Sequence, residues 1–450
     1  MSRIPALLLL LLLIPPGHRS PPPEEDIMTD QSSRGAWRDD QGRLHTDPQR
    51  LEQNLLTLGE IGRDPVTGGV NRTAFSPADR EARRWFENRL TEAGCTVRID
   101  AVGNIIGRCE GRDRTAAPIV IGSHLDSVPQ GGRFDGALGV MIGLEIVHCL
   151  RELGITLDHP LEIVSFSDEE GGLLGSRGWL GILTEEDLDR LYDGRPLTGI
   201  LRELGLDPEQ VDEARRAPGS IAAYLEVHIE QGRVLEREGL QVGIVEGIVA
   251  LDEYEVIVRG TANHAGTTRL PDRNDPMAAA ARMMAAVREE IVAQGGDLVA
   301  TIGRVSAEPG APNVIPAEVR FTIDIRDPSR LVLERAVANL QRAFDAFAAE
   351  EGVSVTWETL HSIPAAPADP AVMRALQEAV EEYRYPWRIM PSGAGHDAQS
   401  IAGLAPMGML FTPSVGGLSH TPAEFTRTAD AACCADVLLR ALLLLDERLP

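Results

Sequence analysis

The sequence of 450 residues contains no lysine, so all 43 of its basic residues are arginines. This absence excludes chemistry that depends on a lysine side chain, such as a Schiff base or the lysine of a P-loop. Cysteine is also scarce, since the chain has only five and none of them in CxxC spacing. A disulfide framework and a thiolate zinc site are therefore not indicated, and we expect reduced thiols in the core.

The chain also lacks a basic patch, and its formal net charge is −25. Such a charge repels a phosphate backbone, so we expect no nucleic-acid partner. Apolar residues make up 43% of the chain and charged residues 25%, which is typical of a globular protein. A chain of this length exceeds what one hydrophobic core usually organises, and it predicts two domains.

Residues 1–27 are predicted to be a leader that precedes the folded chain. They contain the apolar run Ile4–Ile14, which resembles the core of a signal peptide but is too short to span a bilayer. No small-x-small cleavage motif follows this run. We therefore expect a cytoplasmic protein with no membrane partner, and secretion through a signal peptide is the alternative.

The rest of the chain alternates strands with helices. Short runs rich in Ile and Val, such as "APIVIGSH" and "PLEIVSFSD", are typical of parallel strands buried on both faces. They predict a doubly wound α/β catalytic domain with a mainly parallel sheet, built from residues 45–243 and 362–446. Residues 244–361 between them have the order βαββαβ, which predicts an inserted ferredoxin-like domain that acts as a lid and in dimerisation.

Three predicted strands end in side chains that could bind a metal. His124, the run from Asp168 to Glu170, and His228 each stand at a strand end. The carboxyl ends of parallel strands meet at one edge of a sheet, where open α/β folds build their sites. Histidine and carboxylate donors without thiolates suit Zn²⁺, Mn²⁺ or Co²⁺. Each motif alone is more often structural, so the prediction depends on their shared position.

The stretch "IGSHLDSVPQGGRFDGALGV" suggests a division of roles. We expect Asp126 to accept a hydrogen bond from the second ring nitrogen of His124 and so to orient that ligand. Asp135 lies in a glycine-rich loop before a helix, where its two oxygens could bridge two cations. In "SDEEGG" the neighbouring side chains of Glu169 and Glu170 point differently, so one could bind a metal while the other faces the water.

This run of motifs resembles the M20 family of dinuclear metallopeptidases and amidases. The matching segments are "SHLDS", "GGRFDGALGV", "SDEEGG", "EVHIEQG" and "GLSHTPAE", and the resemblance covers about residues 45–446. Many members have Asp where this chain has His228. With this histidine the chain resembles the branch of N-carbamoyl-L-amino acid hydrolases, allantoate amidohydrolases and β-ureidopropionases. The resemblance implies two divalent ions per subunit, with zinc expected and Mn²⁺, Co²⁺ or Ni²⁺ as alternatives.

The resemblance also implies a role for each residue. His124 and His228 would bind one ion, Glu170 and His420 the other, and Asp135 would bridge them. The catalytic residues implied are Glu169 as general base, Asp126 beside His124, and His264 in the lid. In this family the lid histidine stabilises the tetrahedral intermediate, often across a dimer. The substrate-binding residues implied are Gln231, Asn313, Arg326 and His396.

Arg326 and Asn313 can be interpreted in two ways. Arg326 offers two parallel N–H groups to a substrate carboxylate, and Asn313 could add a hydrogen bond. Alternatively, Arg326 forms a surface ion pair with Asp324 or Asp327 in "DIRD", and Asn313 only shapes a turn.

The function implied is hydrolysis of the ureido C–N bond of an N-carbamoyl-L-amino acid by a metal-activated water. Allantoate and β-ureidopropionate are alternative substrates. An aminoacylase or dipeptidase is disfavoured by His228, and a silent binding module is disfavoured because every motif residue is present. We expect a small ureido acid as the substrate partner and a homodimer as the active unit.

Overall fold

A computed structural model describes residues 36–450, so the predicted leader lies outside the described residues. The first part of the described chain alternates short strands and helices. Its strands are β1 Trp37–Arg38, β2 Leu44–His45, β3 Thr96–Ile99, β4 Ile105–Cys109, β5 Ile119–His124, β6 Leu161–Phe166, β7 Leu191–Tyr192, β8 Arg195–Pro196, β9 Ala223–Ile229 and β10 Val242–Ile248. Its helices are α1 Pro48–Glu60, α2 Pro77–Glu92, α3 Ala137–Glu152, α4 Glu169–Gly172, α5 Leu174–Leu180, α6 Glu185–Asp189, α7 Leu197–Glu203 and α8 Val234–Glu238.

The middle part contains a second set of elements. Its strands are β11 Ala250–Arg259, β12 Asn263–His264, β13 Val299–Thr301, β14 Val305–Glu308, β15 Val314–Ile315, β16 Glu318–Asp327 and β17 Ser354–Ile363, and its helices are α9 Pro276–Gln294 and α10 Arg330–Glu351. The final part contributes β18 Ala366–Pro367, α11 Pro370–Tyr383, β19 Trp387–Ser392, α12 Asp397–Ile401, β20 Met407–Thr412 and α13 Thr428–Arg448.

The predicted helices begin where the sequence supplies a cap. Asp47 accepts the amides of Gln49 and Arg50 at the start of α1, and Ser76 accepts the amide of Asp79 at the start of α2. Both helices have proline in their first turn, where no hydrogen-bond donor is lost. These local signals explain why the first helices could be predicted from the sequence.

The central sheet has nine strands and carries the predicted mixed α/β fold. Strands β6, β5, β9 and β20 lie side by side and parallel, and β3, β4, β10, β18 and β19 extend the sheet at its two sides. Every residue of β5, β6, β9 and β20 is buried, as expected for strands covered by helices on both faces. The prediction of a mainly parallel sheet is therefore confirmed.

A separate sheet is formed by the middle part. Its strand order is β13–β16–β11–β17, all neighbours are antiparallel, and β14 also pairs with β16. Helices α9 and α10 cover one face and share a hydrophobic core with it, which includes Val256, Met283, Phe321 and Phe344. Whether this part acts as a lid or in dimerisation stays a prediction.

One predicted strand of this sheet is divided. The segment "LVATIGRVSAEP" was predicted as a single strand, but it forms β13 and β14 with a break at Ile302–Arg304. At the break, the Thr322 amide still donates to the Arg304 carbonyl at 3.1 Å, but the Arg304 amide donates to the Thr322 hydroxyl at 3.2 Å and not to a main-chain carbonyl. A side-chain competitor of this kind interrupts the pairing of two strands.

Among residues 36–450, no helix combines the length and the apolar composition that crossing a bilayer requires.

Candidate metal centre

The candidate site lies at the carboxyl edge of the parallel strands. His124 is the last residue of β5, His228 is the penultimate residue of β9, and Glu169 and Glu170 begin α4 just after β6. Because β6, β5 and β9 are parallel neighbours, their ends deliver these side chains to the same edge. The sequence prediction that the three motifs converge is confirmed by this arrangement.

A first donor group is buried and contains His124, Asp135 and His228. Its ligand atoms all lie within 4.8 Å of one another. The Nε2 atom of His228 is 3.0 Å from Oδ1 of Asp135, and Nε2 of His124 is 3.9 Å from the same oxygen. Burial opposes ionisation of Asp135, but hydrogen bonds from His228 and His420 outweigh it and hold the Asp135 pKa well below its usual range.

Both histidines of this group have their rings oriented by main-chain carbonyls. The Nδ1 atom of His124 is 3.0 Å from the carbonyl oxygen of Asp126, and Nδ1 of His228 is 2.9 Å from that of Ile229. Nδ1–H therefore donates in each ring, and Nε2 is the atom that faces Asp135. In His228 the hydrogen bond to Asp135 outweighs burial and raises the pKa to about 9, so Nε2–H donates to the carboxylate. Burial lowers the pKa of His124 to about 4, which keeps that ring neutral and able to bind a cation.

A second donor group shares Asp135 and adds Glu170 and His420. The Nε2 atom of His420 lies 3.0 Å from Oδ2 of Asp135 and 3.5 Å from Oε2 of Glu170. His420 has a φ of 57°, a left-handed conformation that non-glycine residues rarely adopt. The two oxygens of Asp135 thus face two different histidine groups, which is the geometry that a bridging carboxylate requires.

The loop that carries Asp135 depends on Gly136. This residue has a φ of 62°, and a Cβ atom there would lie 2.2 Å from Nε2 of His124. Its amide nitrogen also lies 3.2 Å from Nε2 of His228. Only glycine allows the backbone to approach both rings so closely.

Asp126 does not have the partner that the sequence suggested. Its carboxylate lies 3.7 Å from Nδ1 of His124, while its own carbonyl oxygen accepts that hydrogen bond. The carboxylate instead accepts the amides of Glu169 and Glu170, at 3.3 and 3.2 Å. Asp126 therefore ties the end of β5 to the start of α4, because the tight turn after His124 brings the main chain closer to the ring than the side chain.

Glu169 and Glu170 both reach the donor groups. Oε2 of Glu169 lies 3.6 Å from Nε2 of His124. Burial, together with the charges of Asp397, Glu170, Asp126 and Asp135, raises the pKa of Glu169 well above its usual value. Burial and the charge of Asp135 likewise raise the pKa of Glu170 to about 8.

These carboxylates fit a bound cation. Oε1 of Glu170 is buried and has no hydrogen-bond partner, although buried polar atoms are normally paired. Besides burial, mutual repulsion of the carboxylates of Asp135, Glu169 and Glu170 raises the pKa of both glutamates. A divalent cation would supply the missing partner of Glu170 and relieve this repulsion, and the histidine and carboxylate donors suit such an ion.

Gln231 and His396 lie at the site but contact protein groups. The Nε2 amide of Gln231 donates to Oδ2 of Asp135 at 3.0 Å and to the hydroxyl of Ser419 at 3.2 Å. His396 is fully buried, and its ring centroid is 4.4 Å from that of His228. Its Nε2 atom is 2.8 Å from the hydroxyl of Ser392. Their predicted contacts with substrate stay predictions.

The guanidinium of Arg326 is already hydrogen-bonded to protein groups in this structure. Its guanidinium forms two parallel hydrogen bonds with Asp324, at 2.8 and 2.9 Å, and its third nitrogen donates to the carbonyl of Gly393 at 2.9 Å. The alternative of an ion pair within "DIRD" is therefore seen, with Asp324 as the partner. Gly393 lies in the loop before His396, so Arg326 also connects the second sheet to the candidate site.

His264 and Asn313 lie together on a small pair of strands, β12 and β15. His264 pairs with Val314, and the amide of Ala265 donates to the carbonyl of Asn313 at 3.0 Å. The exposed His264 ring accepts the amides of Gly266 and Thr267 at Nδ1, so the neutral ring carries its proton on Nε2. Neither residue belongs to the two donor groups. Asn313 stands in a turn before β15 and not on a strand neighbouring β16.

The sequence prediction missed several residues that support the site. Glu424 is buried and accepts the amides of Phe134 and Asp135, at 2.9 and 3.1 Å, and the hydroxyl of Ser419 at 3.1 Å. It stands four positions after His420 in "GLSHTPAE", so its place in that motif was the available signal.

A second support comes from the β7–β8 hairpin. The hydroxyl of Tyr192 donates to the carboxylate of Asp168, and the guanidinium of Arg190 donates to the carbonyl of Gly171. Asp168 and Gly171 flank Glu169 and Glu170, so the hairpin holds the short helix α4. No spacing in the sequence signals this contact.

Comparison with known proteins adds to this geometry. A model of peptidase family M20/M25/M40 matches residues 120–444. The N-carbamoyl-L-amino acid amidohydrolase of Geobacillus stearothermophilus is 42% identical over 396 residues, which are 87% of this chain and 96% of that protein. The allantoate amidohydrolase of Escherichia coli (strain K12) is 33% identical over 392 residues, 85% of this chain and 94% of that protein. A hydantoinase/carbamoylase family amidase from Burkholderia multivorans matches with a TM-score of 0.82 at 36% identity, covering 89% of this chain and 98% of that one.

Proposed function

Since the chain belongs to the peptidase family M20/M25/M40, we propose that it hydrolyses the carbamoyl C–N bond of N-carbamoyl-L-amino acids. The observation that carries this proposal is Asp135, whose two oxygens face separate donor groups with Glu169 beside them. The Geobacillus relative is named for this reaction, and its 42% identity extends over 96% of its length.

The proposed ligands are those that the sequence predicts. His124 and His228 would hold one divalent ion and Glu170 and His420 a second, with Asp135 common to the two donor groups. Such ions supply a Lewis acid for the ureido carbonyl and lower the pKa of water. The orientation of the His124 and His228 rings, fixed by carbonyls at Nδ1 so that Nε2 faces Asp135, supports this assignment.

Glu169 is the proposed general base. Its carboxylate stands 3.6 Å from His124 and has no assigned role in either donor group. It takes a proton from the attacking water and returns that proton to the leaving nitrogen. The hydrogen bonds from the Glu169 and Glu170 amides to Asp126 fix the start of α4 while the Glu169 side chain carries the proton.

The substrate carboxylate is proposed to bind at Arg326, with Asn313 adding a hydrogen bond. In the structure Asp324 holds the two parallel N–H groups of Arg326. A substrate carboxylate would therefore replace Asp324 or use the third guanidinium nitrogen, which now contacts Gly393. Gln231 and His396 stand on the metal side and would contact the ureido end.

Two related substrates test the limits of this proposal. Allantoate carries the same carboxylate and ureido groups, and the Escherichia coli relative is named for it. N-carbamoyl-β-alanine places its carboxylate one carbon further from the ureido group. We place the N-carbamoyl-L-amino acids first because the relative named for them is more similar to this chain, 42% against 33% identical.

The test measures ammonia release by the full chain. Chelated protein is restored with Zn²⁺, Mn²⁺ or Co²⁺ and assayed with N-carbamoyl-L-amino acids, N-carbamoyl-β-alanine, allantoate and an N-acetyl-L-amino acid, whose product is followed as free amine. We expect no turnover after chelation and the highest kcat/KM for an N-carbamoyl-L-amino acid after restoration. A higher kcat/KM for the N-acetyl substrate, or full activity after verified metal removal, would contradict the proposal.

A further inference from the structure

Two of the five cysteines lie at the same end of a strand pair, since Cys95 directly precedes β3 and Cys109 is the last residue of β4. Thr96 lies opposite Arg108 in this antiparallel pair, so the register continued by one residue sets Cys95 opposite Cys109. The Cys95 amide donates to the carbonyl of Leu90 at 3.0 Å and not to β4. Opposed Cα atoms of antiparallel strands are about 4.5 to 5.5 Å apart, which is within the range of disulfides.

Opposed residues of antiparallel strands share a face, and both cysteines pack against the same hydrophobic core. The neighbouring Cys95 thiol lowers the pKa of Cys109, and the guanidinium of Arg151 acts in the same direction. The thiolate of Cys109 is therefore the more available nucleophile.

Cys109 is reachable from outside, whereas Cys95 is 6% exposed. A cavity of about 420 Å³ opens beside Cys109 and is lined also by Gly94, Glu110 and Arg151. The wall carries one charge of each sign, Glu110 and Arg151, and so offers both to a zwitterionic molecule.

We propose that Cys95 and Cys109 are a thiol pair that a small zwitterionic disulfide, such as oxidised glutathione, converts into a cross-strand disulfide. The Cys109 thiolate attacks one glutathione sulfur, and the S–S bond breaks to release one reduced glutathione. Cys95 then gives up its proton and attacks the sulfur of Cys109, which expels the second glutathione. Two protein thiols are oxidised, and one molecule of oxidised glutathione is reduced to two thiols.

The remaining cysteines provide controls within the same chain. Cys149 donates to Glu145 at 3.1 Å, and Cys434 donates to the carbonyl of Phe411 at 3.5 Å. Cys433 is adjacent to Cys434 within α13, where a regular helix keeps neighbouring side chains apart. None of these three has a cross-strand partner among the described residues.

The experiment treats the full chain with oxidised glutathione, blocks free thiols with N-ethylmaleimide and digests with trypsin. Because the chain has no lysine, trypsin cuts only after arginine, and the two cysteines fall in the peptides 90–98 and 109–112. We expect these peptides joined, with a mass lower by two hydrogen atoms, and three blocked thiols in the remaining chain. Reduction with dithiothreitol should restore both peptides singly.

Two variants test the order of the two thiol attacks. Cys95→Ser should keep glutathione on peptide 109–112, because the second attack is lost. Cys433→Ser should give the same joined peptides as the unmodified chain. Recovery of five blocked thiols after treatment, stable glutathione on Cys109 in the unmodified chain, or a link to any other cysteine would overturn the proposal.

Discussion

At the scale of single residues, Glu169 and Glu170 are neighbours with different surroundings. Oε2 of Glu169 lies beside His124, whereas Oε2 of Glu170 lies beside His420 and its other oxygen has no partner. The first turn of α4 thus directs the two side chains differently, as the proposed roles of Glu169 as base and Glu170 as ligand require.

The first prediction concerns the base. Glu169→Gln should retain bound metal and lower kcat by about 10² to 10⁴, the usual contribution of general acid–base catalysis. Metal content by elemental analysis and steady-state rates check this. Glu170→Gln is the matched control, and it should lower metal content before it changes kcat. Near-normal turnover by Glu169→Gln would reject Glu169 as the base.

The second prediction concerns Arg326. Arg326→Lys should raise KM for N-carbamoyl-L-amino acids at least about tenfold with metal content unchanged, since a hydrogen bond to a charged group contributes about 1.5–3 kcal/mol and an ammonium cannot form two parallel ones. Arg330→Lys is the control, because Arg330 forms its ion pair with Asp252. If both variants keep the KM of the unmodified enzyme, Arg326 does not bind the substrate carboxylate.

The sequence predicted which residues converge but not how each is held. His124 and His228 could be placed because parallel strands end at one edge of the sheet. The partner of His124 could not be predicted, since the carbonyl and the carboxylate of Asp126 are equally close in the chain. Glu424 was missed because its partners, the amides of Phe134 and Asp135, are almost three hundred positions away.

At the scale of elements, the β7–β8 hairpin supports the site from outside the central sheet. Tyr192 and Arg190 bond to both sides of the Glu169–Glu170 pair, through Asp168 and the carbonyl of Gly171. Asp168 has a left-handed φ of 53°, which is unfavourable unless the surroundings hold it.

The third prediction follows from this contact. Tyr192→Phe removes the donor to Asp168 and should weaken metal binding about 10- to 100-fold, as for other residues that orient ligands. Competition with a chromogenic chelator measures the affinity. The control is Tyr254→Phe. The hydroxyl that this change removes donates to Asp252 in the second sheet at 2.9 Å. Equal metal affinity for both variants would show that the hairpin does not position the ligands.

Capped helices and buried strands were predicted because their signals lie within a few residues. The division between β13 and β14 was not predictable, because it depends on the Thr322 hydroxyl of a different strand. The hairpin was equally hidden, since two strands of two residues leave no periodicity in the sequence.

At the scale of the whole molecule, the second sheet has strands free to pair. β13, β14 and β17 form its edges, and an edge presents unpaired backbone groups that a second copy could satisfy. We propose a homodimer in which the exposed Nε2–H of His264 serves the partner's site as a donor to the developing oxyanion.

The fourth prediction tests this arrangement. His264→Ala and Glu169→Gln should each be nearly inactive, and mixing them under conditions that exchange subunits should restore about half of the activity in each mixed dimer. Native mass spectrometry verifies the exchange. His361→Ala, a change at another exposed histidine of the same sheet, should stay active. Verified exchange without recovery would place the action of His264 within its own chain.

The position of β20 has a consequence for how the enzyme is made. β20 lies between β9 and β10, although it leaves the ribosome about 160 residues after β10. β9 and β10 therefore cannot reach their final places in the sheet until β20 has been synthesised. Contacts between residues so far apart in the chain form slowly. The group that needs His420 waits for the end of synthesis. The Asp135 loop of the other group waits equally, because Glu424 accepts the amides of Phe134 and Asp135. Both metal positions are therefore completed only when the C-terminal segment has been made, and metal supplied to a nascent chain would find neither of them complete.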